Sequence, residues 1–252
     1  MIFLLAEVDF FLMFPDTPRS HKARKRIEAR LIDHMRKSVP EKYHEMLTPD
    51  YGVGCKRRIF DETWFPSLSN PAIELSTLPL TSIQPREVTL GPGRTYPDPT
   101  DHDSKVPNEE RKLLADVIVL ANGFETKSWL HPLKVAGKDG RLMQDVWDER
   151  GGAQAYMGTA MDNYPNLFMI FGPNTATGHS SVILASENMV NYSLHFIKEI
   201  LSGDVNTFEV KKEAEIKWTK TMQENLKDTV WTSTGCRSWY KDEKGWNSTV
   251  YP

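Results

Sequence analysis

The feature that most constrains the fold of this chain is a short apolar run that ends at a glycine and is followed, after a polar stretch, by a helical pattern. Residues 167–171 are consecutively apolar, as in a strand covered on both faces, and Gly172-Pro173 ends the run because proline cannot donate to a β-ladder. After Ser180, apolar residues recur at helical spacing up to Gly203, a residue type that often ends helices. These apolar residues are Ile183, Val190, Leu194, Ile197 and Leu201. The sequence therefore predicts a buried strand, a polar turn and a long amphipathic helix.

The predicted turn carries small or polar residues at the start of that helix, namely Asn174, Thr175, Thr177, Gly178, His179, Ser180 and Ser181. The first turn of a helix has N–H groups without partners inside the helix, and it is the positive end of the helix dipole. A ligand with anionic or carbonyl oxygens would fit there. An ordinary capped turn that binds no ligand explains the same pattern, and composition does not separate the two.

Charge and cysteine content narrow the classes of function. The chain has 252 residues, 39% of them apolar, which is enough for one large domain or two modest ones. Its 31 basic and 34 acidic residues give a net charge of −3, so no positive field favours nucleic acid and small-molecule chemistry is the default. Cys55 and Cys236 have no metal-ligand spacing around them. Two isolated cysteines indicate a reducing compartment, with a single disulfide as the alternative.

The N-terminal segment is apolar but does not have the pattern of a targeting signal. Residues 1–14 are interrupted by Glu7 and Asp9, lack a basic leading region and are too few to span a bilayer. We expect a buried helix or strand of a larger body, no membrane span and a cytoplasmic protein. The abrupt apolar start indicates that further chain normally precedes it.

Periodicity and composition predict the remaining elements. We expect two amphipathic helices, one over 18–46 and one through Ala214, Trp218, Met222 and Leu226. Between them we expect a half-buried strand over 71–77, a second strand over 87–90 and an exposed insertion over 91–112. Residues 129–152 are expected to form an irregular connection, with Trp147 in the core. The basic cluster at 21–26 is interpreted as a solvated helix face, with a nuclear signal or an anion patch as alternatives. Residues 115–121 are continuous, β-branched and followed by Asn122-Gly123, which predicts a central parallel strand.

Three cations follow a glycine-containing loop. Lys56, Arg57 and Arg58 repel one another unless they are solvated or face negative charge, and a guanidinium suits an oxyanion better than an ammonium does. By chemistry alone, a solvated loop is the simpler interpretation.

Three segments, in order, resemble the class B flavoprotein monooxygenases, in particular the Baeyer–Villiger type. They are residues 54–61 (GCKRRIFD), 115–124 (ADVIVLANGF) and 172–181 (GPNTATGHSS), although the family usually has threonine where this chain has Asn122. The resemblance implies an α/β flavoprotein with two dinucleotide-binding domains. Both glycine fingerprints and the family's phenylalanine-glycine-histidine-tryptophan signature are absent, so we expect a partial fold without the N-terminal FAD Rossmann half. In this division, residues 1–114 are a remnant of the NADP-binding and linker region, and residues 115–252 are the C-terminal part of the FAD-binding domain.

The resemblance also implies roles for single residues. Arg57 would stabilise negative charge on the oxygenated flavin, and Lys56 would be its cofactor-facing neighbour. The turn residues Asn174, Thr175, Thr177, Gly178, His179 and Ser180 would contact the flavin ring of FAD, and Trp239 and Trp246 of the aromatic tail are candidates for a substrate wall. Simple packing explains the two tryptophans equally well, and His179 is assigned no proton transfer.

The function implied is an FAD- and NADPH-dependent monooxygenase that inserts oxygen beside a ketone, with FAD and NADP as cofactors. Loss of both nucleotide loops leaves two alternatives open: a non-catalytic remnant, or an accessory subunit paired with a second chain that supplies the missing half. A different α/β ligand-binding protein that shares only the turn is the third hypothesis. We expect neither nucleic acid nor a membrane as partner.

Overall fold

A computed structural model describes residues 13–57, 59, 61–92, 110–126, 128–176, 181–233 and 236–251. The predicted site residues Thr177, Gly178, His179 and Ser180 lie outside these ranges, as does Arg58 of the cation cluster. The chain divides into two units: one contains the described residues of 1–25, 51–57 and 125–252, and the other contains those of 26–50 and 58–124. None of the helices in the described ranges is long and apolar enough to cross a bilayer.

The first long helix is shorter than the sequence predicted. Helix α1 covers Pro18–Ser38, and the Thr17 hydroxyl accepts a hydrogen bond of 3.2 Å from the Ser20 amide at its start. It ends before Pro40 because proline cannot continue a helix, and a 3-10 turn (Glu41–Tyr43) and helix α2 (His44–Leu47) follow. A later short helix, α3, covers Trp64–Ser67. In the unit that contains residues 26–50 and 58–124, the buried core consists of Met35, Val39, Tyr43 and Leu68.

The only sheet in the described ranges is an antiparallel meander of β1 (Leu80–Gln84), β2 (Glu87–Leu90) and β3 (Arg111–Leu114). The prediction of a strand over 87–90 is confirmed. The predicted strand over 71–77 is wrong, because the Leu75 amide donates to the Tyr43 hydroxyl (3.3 Å) rather than to a neighbouring strand. Of the predicted insertion over 91–112, the last two residues belong to β3, and 93–109 are not described.

The predicted central strand over 115–121 is also absent from the structure. The Ala115 amide still donates to the Arg86 carbonyl (2.9 Å), but no strand continues beyond that bond. A central parallel strand needs a neighbour along each edge, and in the described residues β3 pairs only with β2. The segment is exposed because the described part of the chain offers no sheet with which it can pair.

The other unit contains four further helices in its described residues, joined by long irregular segments. Helices α4 (Met143–Arg150), α5 (Val182–Ser202), α6 (Lys212–Lys227) and α7 (Val230–Ser233) follow in chain order. The prediction of only an irregular connection over 129–152 is wrong, because α4 buries Met143, Val146 and Trp147. Trp147 lies in the core as predicted, and its indole N–H donates to the Gln154 carbonyl at 2.8 Å.

The two amphipathic helices are confirmed, but the strand before the first one is not. Gly203 adopts a left-handed conformation (φ 83°) at the end of α5, as the sequence indicates. Residues 167–171 are irregular, with Phe171 at φ 60°, and the Met169 amide donates to the Thr159 carbonyl at 2.7 Å. No adjacent strand is available within the described residues, so the backbone of this segment bonds to nearby loops instead.

The two cysteines form a disulfide. Cys55 and Cys236 are separated by 181 residues in sequence, but their Cα atoms are 5.5 Å apart. Both are buried with Leu226, Val230, Trp231, Tyr240 and Val250. The expectation of isolated thiols is therefore wrong, and the disulfide alternative is correct.

Candidate functional site

The turn after residue 171 is held by the C-terminal tail, residues 236–251. The side-chain amide of Asn174 donates to the carbonyl oxygens of Asn247 (2.8 Å) and Val250 (2.9 Å), and its backbone amide donates to Ser248 (2.7 Å). Ala176 forms a parallel bridge with Val250. Asn174 is therefore buried, and its side-chain N–H groups face the tail rather than an open mouth of the turn.

On another side, the turn packs closely against a loop glycine. A Cβ added to Gly158 would lie 2.0 Å from Cγ2 of Thr175, and one added to Gly172 would lie 2.2 Å from the Gly158 carbonyl oxygen. The Thr175 hydroxyl donates to the Gly172 carbonyl at 2.7 Å. The first half of the turn is thus fixed between this loop and the tail, and neither contact leaves space for a ligand.

The second half of the turn leads to an exposed helix start. The Ser181 hydroxyl accepts a hydrogen bond of 3.3 Å from the Leu184 amide, and Val182, Ile183 and Leu184 are exposed. The other N–H groups of this first helical turn have no partner inside the helix. Residues 177–180, which precede this helix start, are not described by the structure.

The loop that carries the cations is bound to the tail through the disulfide. Lys56 and Arg57 are exposed, and the Lys56 ammonium lies 4.4 Å from the centre of the Tyr51 ring. Burial raises the pKa of Tyr240 in the tail, and the positive charge of Arg57 opposes that rise. Arg57 is therefore near the tail, whereas no hydrogen bond between described residues joins it to the turn.

The two candidate tryptophans have different environments. Trp246 packs on Gly151 and Gly152, where a Cβ added to Gly152 would lie 2.4 Å from the indole, and its N–H donates to the Ala153 carbonyl at 3.0 Å. Trp239 is 56% exposed, and its ring centre lies 4.7 Å from that of Tyr240. Packing explains Trp246, and Trp239 is the one that remains open to solvent.

Sequence reasoning missed a buried charge cluster formed by Arg150, Asp162 and Glu215. Glu215 is fully buried on α6 and accepts hydrogen bonds from Arg150 (2.8 Å), Gln154 (3.3 Å) and the Asp162 amide (2.8 Å). Burial raises the pKa of Glu215 to about 8. Burial acts to raise the pKa of Asp162 as well, but its bonds to Arg150 and Glu215 lower it overall. No sequence motif indicates this cluster. Arg150, Gln154 and Asp162 are near one another in sequence, but Glu215 is 53 to 65 residues away from them.

Known proteins with similar sequences are monooxygenases. No family model matches the chain. A Baeyer–Villiger monooxygenase of Streptomyces coelicolor is 32% identical over 207 residues, which are 82% of this chain and 36% of that protein. The FAD-binding monooxygenase ktnD of Aspergillus niger is 31% identical over 245 residues, which are 93% of this chain and 37% of that protein.

A solved structure shares the fold. That of an oxidised steroid monooxygenase bound to NADP superposes with a TM-score of 0.75 at 22% identity, over 94% of this chain and 42% of that one. The chain thus spans less than half the length of the proteins that it matches. The resemblance to Baeyer–Villiger monooxygenases is confirmed as a partial match to their C-terminal part.

Proposed function

We propose that this chain is the C-terminal part of an FAD- and NADPH-dependent monooxygenase of the Baeyer–Villiger type, which inserts an oxygen atom beside a ketone carbonyl. The observation that carries the proposal is the 32% identity to the Streptomyces coelicolor enzyme over 82% of the chain. The shared fold with a steroid monooxygenase bound to NADP supports it. Bound FAD, reduced by NADPH, would supply the oxygen chemistry, and the protein would supply orientation and charge stabilisation.

The residues fit the ring end of FAD. The turn is fixed by the tail on one side and leads to an exposed helix start on the other, which suits the carbonyl groups of a flavin ring. In this proposal Thr177, Gly178, His179 and Ser180 contact the ring, whereas Thr175 supports the turn through its packing on Gly158. Asn174 contributes indirectly, because its side chain is already bound to the tail and holds the turn in place.

The residues do not provide for the adenosine diphosphate end of FAD. Neither glycine fingerprint is present in the sequence, so the binding energy for the pyrophosphate must come from polypeptide outside this chain. We therefore propose a partial two-dinucleotide-domain fold that requires an FAD-binding Rossmann half, either from the same longer protein or from a second chain.

Arg57 is the proposed catalytic residue. It is exposed, and its planar guanidinium can donate hydrogen bonds to an oxyanion, so it can stabilise negative charge that develops during oxygen transfer. Lys56 is the proposed neighbour of the nicotinamide nucleotide. Of the tail tryptophans, we propose Trp239 for the substrate wall, because it is exposed, whereas Trp246 supports the tail by packing on Gly152.

The second candidate function is a non-catalytic remnant or accessory subunit. It is favoured by the absence of both glycine fingerprints, which would cost most of the binding energy for two cofactors. A different ligand-binding protein that shares only the turn would not show monooxygenase similarity over 82% to 93% of the chain.

Flavin binding tests the proposal. The chain is co-expressed with the N-terminal part of the Streptomyces coelicolor relative, purified by gel filtration and assayed for retained FAD and for ketone-dependent NADPH oxidation. Retained FAD and ketone-dependent oxidation are expected. Gly178→Val is expected to abolish FAD retention by steric block. Equal FAD affinity in wild type and Gly178→Val would refute the placement of the ring, and absence of FAD and of NADPH oxidation would leave the non-catalytic function.

A further inference from the structure

A partly enclosed cavity of about 170 Å³ lies in the unit that includes residues 125–252. It is bounded by the loop of residues 156–168, by helix α5 and by the segment 208–210. Six of its lining residues are aromatic, namely Tyr156, Tyr164, Phe168, Tyr192, Phe196 and Phe208. None of the described lining residues belongs to the proposed flavin turn, the cation loop or the tail, so this cavity is separate from the site described above.

The aromatic rings form a continuous wall around Phe196. The ring centre of Phe196 lies 6.0 Å from that of Phe168, with the two planes 16° apart. It lies 5.2 Å from the ring centre of Tyr192 and 5.1 Å from that of Phe208, both in edge-to-face arrangements. Aromatic pairs prefer offset-stacked and edge-to-face arrangements, so this wall offers ring faces and edges on which one further ring can pack.

Backbone hydrogen bonds hold the wall in place. The Asn166 amide donates to the Phe208 carbonyl (3.0 Å), and the Phe208 amide donates to the side-chain oxygen of Asn166 (2.9 Å). On another side, the amides of Tyr156 and Ala160 each donate to the carbonyl of the other residue (2.8 and 3.3 Å). The cavity is therefore formed by the fold itself, as is usual for sites that bind small molecules.

Volume and charge restrict the ligand to a neutral molecule with one ring. Apolar cavities of about 150 Å³ can bind benzene, whereas drug-sized ligands require about 300–1,000 Å³. Glu209 is the one ionised side chain among the described lining residues. Its carboxylate already accepts hydrogen bonds from the Lys138 ammonium (2.6 Å) and the Asn163 amide (2.7 Å), so it offers no free charge to a cationic ligand.

Two phenol hydroxyls provide polar contacts at the cavity. Burial raises the pKa of Tyr192, and the neighbouring Tyr156 adds to that rise, so the two side chains are close together. Neither hydroxyl forms a hydrogen bond with another described residue. Because a tyrosine hydroxyl can both donate and accept, one oxygen on a ligand can bond to either group.

We propose that this cavity binds a neutral, single-ring aromatic molecule that carries one hydrogen-bonding oxygen, such as a phenol. The ring packs on Phe168, Phe196 and Phe208, and the oxygen bonds to the hydroxyl of Tyr156 or Tyr192. This inference goes beyond the proposed function and does not rest on it, because neither FAD nor NADPH takes part in the binding.

Titration of the full chain with phenol, followed by nuclear magnetic resonance, tests the site. Methionine methyl groups are labelled with carbon-13, and the signal that is missing from Met161→Leu identifies Met161, a fully buried residue of the cavity wall. Phenol should shift this signal to a saturating value, because the field of an aromatic ring changes the resonance of nearby nuclei. Absence of a saturable shift of the Met161 signal would overturn the proposal.

Replacement of the two hydroxyls tests the recognition of the oxygen. In the double variant Tyr156→Phe with Tyr192→Phe, phenol should bind at least about threefold more weakly, because its oxygen loses its partners. Toluene has the same ring without the oxygen, so its affinity should change by less than about twofold. Tyr251→Phe removes a hydroxyl from a tyrosine outside the cavity and should leave both affinities unchanged. Equal losses for phenol and toluene in the double variant would contradict the proposed contact.

The same titration of the complex with the N-terminal part of the Streptomyces coelicolor relative distinguishes a ligand site from a gap that polypeptide fills. Phenol should shift the Met161 signal in the complex as it does in the isolated chain. Loss of the shift in the complex would overturn the proposal, because the remaining part of the fold would then occupy the cavity.

Discussion

The side-chain amide of Asn174 donates a hydrogen bond of 2.9 Å to the carbonyl oxygen of Val250, although 76 residues separate them. Through this bond and the parallel bridge of Ala176 to Val250, the C-terminal tail fixes the turn that precedes helix α5. The same tail carries Cys236, whose disulfide to Cys55 lies two residues before Arg57. The tail therefore connects the proposed flavin turn and the proposed catalytic loop.

Asn174→Ala should destabilise the protein by about 2–3 kcal/mol. The substitution removes both side-chain donors and leaves the buried carbonyl of Val250 without this partner. Denaturant unfolding would measure the loss, and limited proteolysis should show earlier cleavage in the tail. Asn225→Ala, at an exposed position of α6, is the control and should change the unfolding free energy by less than about 0.5 kcal/mol. Equal effects of the two variants would contradict a specific stabilising role for the hydrogen bonds from Asn174 to the tail.

Reduction of the Cys55–Cys236 disulfide should lower the free energy of unfolding by about 3–5 kcal/mol, because a cross-link across 181 residues strongly restricts the unfolded chain. Thiol titration of the unfolded protein should find no free thiol before reduction and two afterwards. A double variant with serine at both positions should be insensitive to reductant. Two free thiols in the untreated protein would contradict this account of the tail.

Trp246→Ala and Trp239→Ala should differ sharply in stability. Trp246 packs on Gly152 and donates to the Ala153 carbonyl, so its truncation should cost about 2–4 kcal/mol. Trp239 is exposed, and its truncation should cost less than about 0.5 kcal/mol. Thermal and denaturant unfolding of the two variants would measure the difference. If Trp246→Ala is as stable as the wild type, the packing role of Trp246 is wrong and the residue is again a candidate for the substrate wall.

The stability of the chain should fall as the pH rises from about 5 to about 8. Burial raises the pKa of Glu215 from its ordinary 4.5 to about 8, so the folded state binds this proton more tightly than the unfolded state does. The stabilisation is fully present below 4.5 and is lost as the pH rises through the folded pKa, with a slope of at most about 1.4 kcal/mol per pH unit.

Unfolding free energies measured at several pH values between 5.5 and 8.5 would check this slope. Glu215→Gln should flatten it, whereas Glu213→Gln, at an exposed position in the same helical turn, should not. The lowered pKa of Asp162 does not interfere, because its contribution is lost only as the pH falls below 3.8. Stability that rises across the window in the wild type would contradict the buried, protonated Glu215.

The long amphipathic helices α5 and α6 could be predicted from the sequence, whereas helix α4 and most of the strands could not. Helix α5 follows from local periodicity and from Gly203, which are properties of adjacent residues. Strand formation depends on a distant partner, and the segments 115–121 and 167–171 have strand sequences but no sheet to join within the described residues. Neither segment is a strand in the described part of the chain, so their apolar sequences alone were not sufficient to predict their structure.

The sequence motifs of the candidate site could be predicted, but the hydrogen bonds that hold its residues could not. The turn and the cation loop stand out in the sequence because they resemble those of flavoprotein monooxygenases. The bonds from Asn174 to the tail and from Glu215 to Arg150 span 73 to 76 and 65 residues, so no local pattern reveals them. The burial of Asn174 is the clearest difference from expectation, since it assigns the residue to the support of the turn.

Ester formation by the complex with the N-terminal part of the Streptomyces coelicolor relative tests the central claim most directly. With FAD, NADPH and a ketone, the wild-type complex should form ester, and Arg57→Ala should retain FAD and oxidise NADPH but form at least about tenfold less ester, because the charge of the guanidinium is lost. Lys37→Ala, at an exposed position of α1, is the control and should behave as the wild type does. Ester yields that are equal in Arg57→Ala and wild type, or no ester from the wild type, would contradict the account.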